Sequence, residues 1–227
     1  MHTYQISLDD FERLLNLWRK LFILDDSFYM KILQELNLDS LDPVATYRYI
    51  IRFLELWGVR QSATQLDPVM LCNKIIELKP ILNELKSPLL KADLEKLKDR
   101  VKYIFKDLES LKNVGPTSAS KILHLLKPEF FIMWNRPIAE HYCLNPTAKI
   151  MEEEYYKFLV KMREILNTLL KEYSRKHLSE RPEEDLIRKY GNKPLTKLID
   201  EYNWLKIRPW LNRLTKLAEQ QPLSPSK

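Results

Sequence analysis

Glycine is almost missing from this 227-residue chain: Gly58, Gly115 and Gly191 are its only three, where an average sequence carries about 7%. Isolated glycines exclude a Gly-rich dinucleotide fingerprint and a Walker-type phosphate loop, because both need clustered glycines to let backbone approach phosphate. They also argue against a turn-rich all-β fold. Cysteine is scarcer still. Cys72 and Cys143 form no CxxC pair, which excludes a zinc ribbon or a four-cysteine iron–sulfur cluster. Two cysteines make no disulfide scaffold, and reduced thiols fit an intracellular protein of the cytoplasm, nucleoid or nucleus. No run of about 18 apolar residues exists, so no membrane-crossing helix is expected. The opening stretch Met1–Leu15 lacks a basic segment followed by an apolar one, so no secretory leader is expected either.

What is present is an ordinary soluble composition, 45% hydrophobic and 30% charged, with enough length for a substantial apolar interior. The net charge of +6 is uneven. Residues 1–42 hold four basic and eight acidic side chains, a net of −4, so the remaining 185 carry +10. Such asymmetry suggests a polyanion-facing side; a solvated, Lys-rich surface would give the same count.

Helical spacing dominates the pattern, and no segment sustains period-two alternation. Ser7 precedes Phe11, Leu14, Leu15, Trp18 and Leu21 as a cap. Asp42-Pro43 and Asp67-Pro68 read as N-cap and N1. Gly58 falls where the preceding helix needs a left-handed residue, and Pro80 is expected to kink or split the helix begun at Pro68. Leu94, Leu97, Val101, Phe105, Leu108 and Leu111 form one stripe. Residues 147–177 form the longest helical segment, with Glu152–Glu154 early and Arg175–His177 late, matching the macrodipole. Gly191 closes a short helix, and Leu195, Leu198, Ile199 and Tyr202 make a further apolar face. With no repeat and no Pro/Gly/Ser linker, residues 1–227 read as one helical unit.

The segment that points to chemistry is Leu111-Lys112-Asn113-Val114-Gly115-Pro116-Thr117-Ser118-Ala119. A helix ends at Leu111, a tight turn follows, and a second helix opens with Pro116 near N1. Gly115 is expected to supply the positive φ of the reversal, and Asn113 tolerates the left-handed region. Free N–H groups of Gly115, Thr117 and Ser118, with the helix dipole behind them, would make an anion site. Lys112, Lys121 and Lys127 occur with no acid across residues 112–128, as a phosphate-facing loop requires.

These residues resemble the helix-hairpin-helix DNA glycosylase superfamily, whose hairpin reads Leu-Pro-Gly-(Val/Ile)-Gly-x-x-(Thr/Ser)-Ala. Asn113 stands at the pattern's first glycine. The continuation from Ser120 through Pro128 to Trp134 is similar to the stretch that leads to the family's catalytic aspartate, and Asn135 occupies that position. The resemblance spans residues 94–142. It implies an all-α fold of two helical lobes flanking a cleft, with DNA as partner, a monomeric state and no organic cofactor. It also implies a monovalent cation held by the backbone carbonyls of Leu111 and Val114. Phosphate contact falls to Lys112, Asn113, Gly115, Thr117, Ser118 and Lys121. The family's Schiff-base lysine matches Thr117, with Lys121 one turn later as a substitute, so a monofunctional, water-using enzyme is favoured.

Asn135 departs from the pattern where it matters. A carboxylate there would stabilise positive charge on the sugar and help activate water, whereas an amide is neutral. Three explanations stay open: an Asp→Asn substitution in an active scaffold, a binder that has lost catalysis, or a carboxylate elsewhere such as Glu140 or Asp107. Trp134 with Phe130 and Phe131 could border a pocket for an unstacked base, or be core. Trp57, Trp204 and Trp210 read as core or lobe-packing, and His124 as packed. His141-Tyr142-Cys143 reads as structural. Lys206, Arg208, Arg213 and Lys216 offer either a second backbone-binding surface or a solvated face. No chemical role is evident for Thr196–Leu205. The expected function is removal of a damaged or mismatched base from duplex DNA by base flipping and N-glycosidic hydrolysis. The alternative is a non-catalytic helix-hairpin-helix DNA-binding protein, and a helical protein–protein adaptor is a third reading.

Overall fold

A computed structural model describes residues 6–208; Trp210, Arg213, Lys216 and the tail from Pro222 lie outside the described residues. Twelve α-helices and no strand occur among the described residues. They are α1 (Leu8–Leu21), α2 (Ile23–Glu35), α3 (Pro43–Ala45), α4 (Arg52–Leu56), α5 (Arg60–Ala63), α6 (Pro68–Glu84), α7 (Leu94–Glu109), α8 (Pro116–Leu126), α9 (Arg136–His141), α10 (Met151–His177), α11 (Pro182–Lys189) and α12 (Leu195–Lys206). A π-helical stretch, Thr46–Ile51, joins α3 to α4.

The ends follow local chemistry. Ser7 Oγ accepts the Asp10 N–H at 3.3 Å, Asp42 Oδ1 accepts that of Ala45 at 2.6 Å, and Asp67 Oδ1 accepts that of Val69 at 2.7 Å, each satisfying a donor that the first turn leaves free. Gly58, at φ 82°, takes the left-handed position after α4, and Val59 N–H reaches back to the Leu54 carbonyl at 2.9 Å. Gly191, at φ 83°, does the same after α11. Pro80 neither ends nor splits α6, which runs on to Glu84. The carbonyl it leaves without a partner is that of Ile76, a solvent-exposed residue, so water can replace the lost bond.

Buried side chains form one connected cluster from Ile6 to Leu205. Long α10 lies against α7, with Phe105 and Tyr155 stacked at 4.3 Å. Among the described residues the first helix packs on the last: α1 meets α12 through Phe11 and Tyr202, 5.5 Å apart. Lysines of three late helices hold the acids of α1, with Lys176 on Asp9 at 2.5 Å, Lys189 on Glu12 at 2.5 Å and Lys206 on Asp10 at 2.6 Å. Part of the charge asymmetry is therefore an internal clamp, and Lys206 is engaged with a carboxylate. Helix α12 is buried nearly all round, including Lys197, Asp200 and Glu201; the expected apolar face was only part of it.

Candidate functional site

The chain leaves α7 and re-enters helix at Pro116 within six residues. The left-handed residue of this turn is Asn113, at φ 68°. Gly115 has φ −92° and ψ 178° as the N-cap of α8, so the expectation that it supplies the positive φ is wrong. An extended N-cap needs no glycine, whereas the reversal occurs two residues earlier. Asn113 Nδ2 donates to the Gln65 carbonyl at 2.9 Å, so this amide ties the turn to the segment before α6. The Leu111 carbonyl accepts the Val114 N–H at 2.9 Å. Of the two carbonyls that the resemblance assigns to a cation, one thus already carries a hydrogen bond.

Among the positions assigned to phosphate, Lys112 is exposed and Asn113, Gly115 and Thr117 are half-buried, while Ser118 is buried. No side chain caps α8, so its first N–H groups are left for another acceptor. Lys127 sits at the opposite end of this 11-residue helix, roughly 15 Å away at about 1.5 Å per residue. It belongs to no loop with Lys112.

After α8, the extended segment from Phe131 to Asn135 is held from both sides. Ser120 Oγ accepts the Trp134 N–H at 3.1 Å, and Tyr155 Oη donates to the Ile132 carbonyl at 2.9 Å. His124 Nδ1 lies 2.7 Å from the Phe131 carbonyl and its Nε2 lies 2.8 Å from Tyr29 Oη. The carbonyl can only accept, so Nδ1 carries the proton and Nε2 receives the Tyr29 hydroxyl. Burial pushes the His124 imidazole down to about 3, so the ring is neutral, in agreement with the packed reading. Thus fixed, the segment delivers Asn135 to the start of α9, where Oδ1 accepts the Ile138 N–H at 3.0 Å.

Thr117, Lys121, Trp134 and Asn135 line a single cavity of about 270 Å³. The lining also includes Trp18 of α1, Phe22 at its end, Trp57 after α4, and Asp200, Trp204 and Arg208 from α12 and its end. Four of the chain's five tryptophans therefore face one pocket. Trp57 stacks on Phe53 at 4.3 Å, Trp204 meets Trp18 edge-on at 5.6 Å, and the Arg208 guanidinium lies 3.7 Å over the Trp204 ring. Trp57 and Trp204 pack against the core, as expected, and also line this cavity. Phe130 and Phe131 are fully buried and absent from this lining. They are core: Phe131 faces Tyr155 across α10, and Phe130 packs edge-on against Phe131. Only Trp134 of the three expected aromatics borders the pocket.

Lys121 is likewise no surface lysine. It is 8% exposed and caps the C-terminal end of α4 by donating from Nζ to the Trp57 carbonyl. Burial lowers it to about 8, with Lys197 and Arg208 adding repulsion against the attraction of Asp200. Such an amine is neutral far more often near physiological pH than a solvated lysine, and so can act as a base or nucleophile. Glu140 is exposed and paired with Arg136 at 2.8 Å, and Asp107 is held by Lys74 at 3.2 Å. Neither lines the pocket. The carboxylate that does is Asp200.

Asp200 belongs to a buried charge network. Lys197 Nζ lies 3.4 Å from Asp200 Oδ2 and 3.1 Å from Glu201 Oε1, and 4.6 Å over the Trp18 ring. Lys193 Nζ joins Glu201, at 2.7 and 2.8 Å, to Asp26, at 2.8 Å. Burial raises Asp200 and Glu201, opposed by the neighbouring lysines. For Lys197, burial would lower the amine, but Glu201, Asp200 and Asp26 outweigh it and hold it raised. The cluster sits directly behind the tryptophan-lined cavity. The available signal was the i, i+3, i+4 spacing of Lys197, Asp200 and Glu201, which alone reads as a solvated face.

A larger cavity of about 490 Å³ lies between α10, α11 and the start of α12. Its lining mixes aliphatic side chains with four glutamates and with Lys91 and Arg181, which pair with Glu183 and Glu184. Among the described residues no group of three His, Cys, Asp or Glu side chains is placed to hold a metal, and no helix is long and apolar enough to cross a membrane. Comparison with protein-family models, curated proteins and solved structures finds no match for this chain.

Proposed function

We propose that the protein is a DNA glycosylase-like enzyme that binds duplex DNA through a helix-hairpin-helix element, α7–turn–α8, and takes an unstacked base into the tryptophan-lined cavity, read as a cleft between two helical lobes. The observation that carries this reading is a convergence. Thr117 and Lys121 of the hairpin helix, Trp134 and Asn135 of the segment after it, and three further tryptophans all meet in one small pocket. Flat aromatic walls suit a flat heterocycle, and base flipping needs such a receptacle. The uncapped start of α8 and exposed Lys112 border the turn, where a phosphate would be anchored.

The rim adds support. Val44, Tyr47 and Leu56 are 64%, 50% and 53% exposed, lie beside Arg48, and connect with the pocket through Leu56. An exposed aromatic beside a guanidinium is the kind of surface on which a nucleic-acid strand stacks. The reaction is hydrolysis of the base–sugar bond with water as nucleophile.

The test is base release from a panel of single-lesion duplexes, with parallel binding titrations at several salt concentrations. Release from one member of the panel supports the enzyme. Asn135 favours the second reading, a DNA-binding protein without catalysis, because its side chain is a neutral amide already engaged as an N-cap. Tight, salt-sensitive binding with no release from any lesion would establish that alternative. Absence of DNA affinity even at low salt would dismiss both, leaving a helical adaptor. Borohydride trapping decides the chemistry: a covalent adduct that Lys121→Ala abolishes would replace water with an amine nucleophile.

A further inference from the structure

The pocket lacks a carboxylate where the resemblance places one, yet a carboxylate reaches it from α12. Resting on the enzymatic reading above, we infer that Asp200 supplies the acid–base group of the reaction, in place of the amide at Asn135.

Three observations converge. Asp200 lines the same cavity as Trp134 and Asn135 but arrives on α12, 65 positions further along the chain. It is 6% exposed, so little besides the cavity is open to it. Its hydrogen bonding is incomplete: Lys197 reaches Oδ2 at 3.4 Å, and among the described residues no donor bonds Oδ1. Glu201, the neighbouring acid, is held by Lys193 through both oxygens and lies outside the cavity lining.

The surrounding charges suit the role. Lys197, Lys121 and Arg208 face Asp200, and Glu201 and Asp26 lie beyond Lys197. Burial raises its carboxyl from the ordinary aspartate value while these cations oppose the rise, giving a stronger base than a solvated aspartate. In the reaction, a water oxygen bonds to the anomeric carbon as the carbon–nitrogen bond breaks. The electron pair of that bond leaves with the base, which takes a proton from bulk water. The attacking water passes its proton to Asp200, which returns it to solvent. The anionic carboxylate also faces the positive charge that develops on the sugar.

The experiment compares the wild-type chain with Asp200→Asn, Asp200→Glu, Asn135→Asp and the double variant carrying Asp200→Asn and Asn135→Asp. Each is assayed for base release across pH on the same lesion duplexes, with thermal melting and DNA-binding anisotropy as controls. The expected result is that Asp200→Asn lowers single-turnover release at least about 100-fold, binds DNA as before, and loses the rise of rate with pH through the carboxyl titration. Asp200→Glu should recover part of the rate. Wild-type release with Asp200→Asn within about threefold of it would overturn the assignment while leaving the enzymatic reading intact. An inert wild type with an active Asn135→Asp would overturn it too, and give the carboxylate role to position 135. Binding with no release from any variant would sink both this inference and the enzymatic reading. If Asp200→Asn melts far below the wild type, Asp200→Glu and the pH profile decide.

Discussion

Replacing Lys197 with methionine isolates the energetics of the charge network behind the pocket. Methionine keeps most of the length and apolar stem but removes the ammonium, which is fully buried. Glu201 keeps a cation, because Lys193 contacts both its oxygens at 2.7 and 2.8 Å. Asp200 loses the one donor that bonds it among the described residues, at 3.4 Å. Orphaning a buried charge typically costs about 3–5 kcal/mol. Lys121 and Arg208 still attract Asp200, which places the expected loss at the lower end, about 3 kcal/mol. For a chain of this size that is a fall in melting temperature of roughly 6–12 °C. The loss must also depend on pH. The Asp200 carboxyl is already raised by burial, and without Lys197 it rises further, so folding favours its protonated form. The stability of a group raised in the folded state is present at low pH and lost as pH rises past its unfolded value, about 3.9 for aspartate. Urea denaturation at about pH 7 and about pH 5 should therefore show a larger penalty at the higher pH, and adding Asp200→Asn should restore at least half of it. A penalty below about 1 kcal/mol, or one equal at both pH values, would refute the account of a functioning internal counterion.

Three further outcomes follow from single features. His124 is held neutral by burial at about 3 in the folded chain against an ordinary 6.5. Its contribution is present above about 6.5 and lost as pH falls toward 3, up to an order of 4 kcal/mol; acid titration of His124→Gln by circular dichroism should be flatter over that window. Asn113→Val forces a β-branched residue into φ 68° and removes the bond to the Gln65 carbonyl, and should cost about 2–3 kcal/mol, whereas Asn113→Gly should cost under about half of that by the same denaturation assay. Lys112→Ala leaves the fold untouched, since the side chain is exposed; in binding titrations it should weaken DNA affinity evenly across sequences and reduce the slope of log affinity against log salt by about 1.

The sequence spoke clearly wherever the decisive interaction is short. Ser7, Asp42 and Asp67 cap helices three or fewer residues away, and Gly58 and Gly191 close them by their own conformational freedom. The turn at 111–116 was placed correctly, but two residues tolerant of unusual backbone stand in it and nothing local says that Asn113, not Gly115, takes the left-handed position. The pocket was half legible. Trp134 and Asn135 follow the recognisable turn within about 20 positions. Trp57, Trp204 and Asp200 reach the same cavity from segments 60 or more positions away, and their arrival depends on how α1, α4 and α12 pack. Phe130 and Phe131 stayed open between pocket and core in the sequence because adjacency to Trp134 says nothing about direction: Ser120, His124 and Tyr155 pin the segment, and both rings are buried. The charges of α12 were left without a role, since polar spacing on a helix ordinarily marks a wet face.

The seating of α1 on α12 sets a timetable for the newborn chain. Helix α1 is made nearly 190 residues ahead of its berth on α12, so for that stretch of synthesis its greasy side must wait uncovered. Contacts between such distant stretches are slow to form, and this exposed interval is when a chaperone would find its handle. Moving the N-terminal helix to the far end by circular permutation would let the two partners appear together, and should shorten the wait.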